Sequence, residues 1–263
     1  MKAKLGDIVV NYSVMGEGPP VVFVHGLAED RSSWTHVRDK LSNYRTYAYD
    51  LRGHGETSLG VEDGSLAQLG GDLVRFLEIV SGPAVCVGYS LGGTVVLWAA
   101  AERPDLVRRA VVAGTSSVVG RRAAEFFDQR IRTLLTDPAA FAKDLRSDTA
   151  AQLIVMPDQV DAVTGRRLAA VGTGGGYVNA ARAMQRLASE PLTSLLPRVS
   201  CRVDIIGGEK DSFCPPKAAA LLMSELSDAS YHEISGAGHL MSVDNPGAYL
   251  HAIKQSLDRS FQA

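Results

Sequence analysis

The chain has 263 residues, 46% of them hydrophobic, and a formal net charge of −2. That length and apolar content can bury a full core and suit one α/β domain carrying an insertion rather than two separate domains. A near-neutral balance with Lys and Arg scattered along the chain excludes the basic footprint of a nucleic-acid binder.

Met1-Lys2-Ala3-Lys4 leads into polar Gly6-Asp7 with no apolar signal core, and no apolar stretch reaches the roughly 18 residues of a membrane span. Cys86, Cys201 and Cys214 are too widely spaced for a disulfide framework or a zinc site, so a reducing, cytoplasmic setting with neither membrane nor metal is expected. Residues 8–14 alternate loosely, Gly16-Glu17-Gly18-Pro19-Pro20 turns the chain, and residues 21–24 read as a buried strand ending at His25-Gly26. A helix over 33–41 and a strand over 44–49 follow. That strand runs into the loop Asp50-Leu51-Arg52-Gly53-His54-Gly55. Leu66, Leu69, Leu73, Phe76, Leu77 and Val80 recur at intervals of three and four, which predicts an amphipathic helix over 66–80.

Residues 83–87 then form a β-prone run, residues 91–101 a helix and residues 107–113 another strand, after which no strand signal returns until Cys201. The chain therefore divides into a core of 1–117 and 199–263 and a helical cap of 118–198. Cap helices are predicted over 121–135, 138–145, 149–155 and 178–187, with breaks at Asp137-Pro138, Met156-Pro157 and the glycine run 172–176. That run lacks the Gly-Lys-Ser/Thr ending of a phosphate loop and reads as a flexible hinge. Strands over 201–206 and 229–234 and a helix over 246–257 complete a mostly parallel sheet with helices on both faces.

The most informative motif is Gly88-Tyr89-Ser90-Leu91-Gly92, a serine on a glycine-flanked turn between strand and helix, the pattern of a nucleophile elbow. Asp211 and His239 follow later strands, so the order Ser, Asp, His matches what this elbow requires. A serine hydroxyl attacks a carbonyl only when a base takes its proton, which assigns His239 as base and Asp211 as the group that orients and stabilises it. Backbone N–H groups of Leu91, at the helix start, and Leu27, past the strand over 21–24, are placed to receive the developing oxyanion. His25 is expected to brace the oxyanion loop, and Asp204, a rival acid inside a strand, to meet solvent or a local partner.

With those residues placed, the chain resembles the α/β-hydrolase superfamily, in particular the small capped esterases and lactonases that include the 3-oxoadipate enol-lactonases. The likeness spans about residues 16–257 and rests on His25-Gly26, on the loop from Asp50 to Gly55 with Ser58, on the elbow with Gly93, on Gly208-Glu209-Lys210-Asp211 with Pro215, and on Gly238-His239. It implies an α/β-hydrolase fold, a triad of Ser90, Asp211 and His239, and no metal or organic cofactor. Asp244-Asn245-Pro246 departs from the glutamate many relatives carry nearby. The implied activity is hydrolysis of a small-molecule carboxylic ester or lactone through an acyl-enzyme. The same residues would also serve a carbon–carbon hydrolase, a cofactor-free perhydrolase or a slow-turnover ligand receptor. Phe126, Phe127, Ile131, Leu134, Leu135 and Tyr177 are candidates for an apolar ceiling, and Arg121, Arg122, Arg130 or Arg182 for a carboxylate anchor.

Overall fold

The computed structural model describes residues 1–260. Eight strands form one sheet in the order β1-β2-β4-β3-β5-β6-β7-β8. β1 (Lys2–Leu5) and β2 (Ile8–Met15) pair antiparallel at one edge, and β2 pairs antiparallel with β4 (Arg45–Tyr49). From β4 onward every pairing is parallel, through β3 (Pro20–Val24), β5 (Ala84–Tyr89), β6 (Val107–Ala113), β7 (Val203–Gly208) and β8 (Ala229–Ile234). β5 is buried at every position because helices cover both faces of the sheet, whereas edge strand β8 keeps His232 and Glu233 exposed. β1 was not expected: its polar Lys-Ala-Lys run carries no strand pattern, and the ladder offered by β2 supplies its pairing.

One sheet face packs against α2 (Leu66–Phe76) and α3 (Leu91–Glu102), which share a core with Leu73, Val95 and Val112. The other packs against α1 (Thr35–Arg38) and the final helix (Pro246–Ser260), around Trp34, Phe23, Tyr249 and Ile253. α3 is apolar all round because it is buried on nearly every side. The helix expected over 33–41 is only a 3-10 turn, Arg31–Trp34, followed by the single turn of α1.

Between β6 and β7 lie α4 (Arg121–Thr136), α5 (Pro138–Gln152), α6 (Val160–Val171) and α7 (Gly175–Arg186). Ile131, Phe141, Leu145, Tyr177 and Val178 give this segment its own small core, which touches the rest of the chain at Ala28. The predicted break between 145 and 149 is absent. α5 is continuous because Asp137 caps its start, accepting from Ala139 and Ala140 N–H at 3.1 and 3.0 Å, and nothing after Leu145 interrupts the helix. The glycine run is likewise no hinge along its whole length. Gly175 and Gly176 belong to α7, and a Cβ on Gly176 would stand 2.3 Å from the carbonyl of Gly53, so the glycine permits close packing. α8 (Pro216–Glu225) and α9 (Met241–Asp244) complete the chain ahead of the final helix, α10.

Candidate active site

The strand order reverses around β3, whose neighbours are β4 on one side and β5 on the other, and crevices open beyond the carboxyl ends of strands at such a point. His25 to Glu29 leave β3 there, and Ser90 leaves β5. Ser90 has φ +51° and ψ −119°, a conformation costing about 1–3 kcal/mol for a residue with a side chain. The turn closes only because its flanks lack side chains: a Cβ on Gly88 would lie 2.4 Å from the Gly92 carbonyl oxygen, and one on Gly92 would lie 2.2 Å from that of Val24. Among the described residues the one other non-glycine with positive φ is Ala28, at +59°, next to Leu27. Both strained positions therefore flank one crevice.

The three residues expected to act together do meet. His239 Nε2 lies 3.1 Å from Ser90 Oγ, and its Nδ1 lies 2.8 Å from Asp211 Oδ2. An ionised Asp211 can only accept, so Nδ1 carries the proton and Nε2 is left to accept from the serine hydroxyl. The other oxygen of Asp211 accepts from Phe213 and Cys214 N–H, each at 2.8 Å, which locks the carboxylate in place. Leu27 and Leu91 line the same cavity as Ser90, and among the described residues neither N–H has an acceptor. Leu91 opens α3, where the first N–H groups of a helix are unpaired.

His25 is a brace. Its Nδ1 donates to the Gly26 carbonyl at 2.8 Å and its Nε2 accepts from Leu51 N–H at 2.9 Å, so it joins the loop after β3 to the loop after β4. Complete burial pushes its imidazole down to about 4, which keeps it neutral. The glycine-rich loop is held in turn by Arg52, whose guanidinium bonds to both oxygens of buried Asp72 and to Asp7. Asp204 is tied to Arg109 and Ser230 on neighbouring strands, as its place within β7 led us to expect.

Two supports of His239 escaped the sequence reading. Tyr89, the residue before the serine, donates from its phenol to the His239 carbonyl at 3.0 Å, and burial raises that phenol well above its ordinary range, so it stays a donor. Asp244 accepts from Gly238 N–H at 2.8 Å and from the N–H groups of Ile154, Val155 and Met156 at 3.1, 2.8 and 3.2 Å. It thus fastens the loop bearing His239 to the chain just beyond α5. Neither role has a local sequence signal, because the Tyr89 bond and the bonds from Asp244 to residues 154–156 join residues far apart in the chain.

The cavity over Ser90 has a volume of about 850 Å³. Phe126, Phe127 and Tyr177 line it as expected. Ile131 and Leu134 instead pack inside the helical segment, and Leu135 is 64% exposed, because α4 turns those positions away from the crevice. The Phe213 ring stacks on the His239 imidazole with centroids 5.5 Å apart. Cys214 also lines the cavity, and its surroundings hold its thiol well above the usual range.

A family model described as alpha/beta hydrolase fold matches residues 19–246. The chain is 27% identical over 261 residues to 3-oxoadipate enol-lactonase 2 of Acinetobacter baylyi, covering 96% of this chain and 94% of that protein. It is 29% identical to pyrrolizixenacetamide deacetylase of Xenorhabdus hominickii, covering 97% of each. Its backbone superposes on the crystal structure of the enol-lactonase from Burkholderia xenovorans with a TM-score of 0.88 at 21% identity, over 98% of this chain and 100% of the other. By sheet order, elbow and family match, this chain belongs to the alpha/beta hydrolase fold family.

Proposed function

We propose that this protein is a serine hydrolase that cleaves a carboxylic ester or lactone of a small molecule through an acyl-enzyme on Ser90. The observation carrying the reading is the unbroken chain from Ser90 Oγ through His239 to Asp211, at 3.1 and 2.8 Å, opening on the cavity. As Ser90 attacks the carbonyl carbon, its proton passes to His239 Nε2, and Asp211 stabilises the imidazolium. The tetrahedral oxyanion is received by the N–H groups of Leu27 and Leu91, preorganised donors worth roughly 3–4 kcal/mol each in a dry site. His239 then protonates the leaving oxygen. In the second half it deprotonates a water that attacks the acyl carbon, and Ser90 leaves with its proton restored. Residues 118–198 act as the cap that walls the acyl pocket. The names of the relatives, an enol-lactonase and a deacetylase, support acyl transfer to water as the shared chemistry.

The test is labelling by a fluorophosphonate probe together with hydrolysis of a panel of p-nitrophenyl esters and small lactones, with Ser90→Ala as control. Labelling and turnover that both vanish in Ser90→Ala are expected, with turnover lowered roughly 10⁴-fold or more. Full esterase activity in Ser90→Ala refutes the mechanism, and labelling without turnover of any ester or lactone refutes the substrate class.

A further inference from the structure

Two of the arginines singled out by sequence as substrate anchors, Arg121 and Arg130, are committed elsewhere. Arg130 holds both oxygens of Asp148 at 2.7 Å and Asp144 at 3.0 Å. Arg121 is exposed and pairs with Glu125. The exposed Arg182 lies along Gly64, and Arg122 is exposed at the cavity rim.

Arg167, on α6, is different. It is only 8% exposed, and its Nη1 donates to Thr149 Oγ1 and Gln152 Oε1 at 2.9 Å each. Its Nε is buried with no partner, and among the described residues Nη2 donates to nothing. This side chain lines the cavity that holds Ser90 and His239 and, with Glu29, separates it from a second cavity of about 420 Å³. A guanidinium cannot shed its charge, so burying it with unfilled donors is costly unless a ligand supplies the missing acceptor. The nearby acids do not fill that need. Asp148 is taken by Arg130, and half-buried Glu29 accepts from Gly26 N–H at 3.2 Å. Burial raises the Glu29 carboxyl toward its neutral form, against the pull of Arg167.

We propose that Arg167 is the specificity-determining anchor of the reaction cavity, binding through Nη2 a carboxylate on the substrate whose ester or lactone carbonyl lies at Ser90. The substrates favoured are accordingly half-esters and lactones that carry a free carboxylate. This rests on the hydrolase reading above. Phe126, Phe127 and Tyr177 supply apolar lining for the methylenes between the two ends, and the guanidinium supplies a buried charged fork in the same cavity.

The test compares mono-4-nitrophenyl glutarate with its methyl ester, a neutral substrate one methyl longer. In the wild type, kcat/KM for the acid should exceed that for the methyl ester by roughly 10- to 100-fold, the range of a charge-assisted hydrogen bond. Arg167→Gln should lower the acid at least tenfold further than the neutral ester, mainly through KM, with Arg167→Lys restoring part of the difference. Glu29→Gln, which leaves the guanidinium in place, should keep or enlarge the acid preference. Equal rates on the two esters in the wild type, equal losses in Arg167→Gln, or a preference lost in Glu29→Gln overturn the anchor. Calorimetric binding of glutarate to Ser90→Ala protein needs no turnover. Binding there that weakens at least tenfold when Arg167→Gln is added upholds the anchor even if no ester is hydrolysed, and no binding overturns it.

Discussion

Removal of the Asp244 carboxylate tests how the histidine loop is held. In Asp244→Ala the N–H groups of Gly238, Ile154, Val155 and Met156 lose their shared acceptor. A hydrogen bond to a charged acceptor contributes about 1.5–3 kcal/mol when the donor is left dry, as at buried Gly238. Ile154 and Val155 are exposed and Met156 half-buried, so those donors rehydrate, and each loss falls to under about 1 kcal/mol. The expected destabilisation is roughly 3–5 kcal/mol, read as a shift of the urea midpoint. With an unfolding entropy near 2.1 cal/mol/K per residue, it also lowers Tm by about 5–9 °C. Because Gly238 immediately precedes His239, kcat should fall as well, on the order of 10²-fold for a displacement near 1 Å. Stability within about 1 kcal/mol of wild type together with unchanged kcat would show that Asp244 positions nothing.

Asp211→Asn keeps the shape of the side chain but offers His239 the wrong tautomer, and stopped assays at pH 7 should show kcat down roughly 10⁴-fold with little change in Tm. His54 is fully buried and its imidazole is pushed down to about 3, so between about pH 6.5 and pH 3 the unfolded chain binds a proton the folded one refuses. Stability therefore falls as pH drops through that window, by about 2 kcal/mol per such histidine between pH 7 and 5. The difference in urea stability between those pH values should shrink by that amount in His54→Gln, and an unchanged difference counts against a buried neutral ring. Gly88→Ala should prevent folding or erase activity, since its Cβ falls 2.4 Å from the Gly92 carbonyl oxygen and 2.5 Å from Gly93 N. By contrast Gly165, inside α6 with nothing within 4 Å of a new Cβ, should gain about 0.5–1 kcal/mol on replacement by Ala, measured by thermal unfolding.

Much of this protein is legible along the chain, because its signals are local. The apolar runs of β3, β5 and β6, the periodic face of α2 and the glycines around Ser90 each follow from how a few adjacent residues must fold. Their order sufficed to pick out Ser90, Asp211 and His239, whose meeting at 3.1 and 2.8 Å follows from a parallel sheet delivering all three loops to one edge. β1 was illegible because a polar edge strand takes its shape from its neighbour. The continuity of α5 and the helical place of Gly175 and Gly176 were misread because propensity is a weak prior that packing overrides. The bonds that Tyr89, Asp244 and Arg167 make had no sequence signature. Their partners lie far away in the chain, at His239, at residues 154–156 and on α5, and a hydrogen bond of that kind exists only once the folded chain has brought its two ends together.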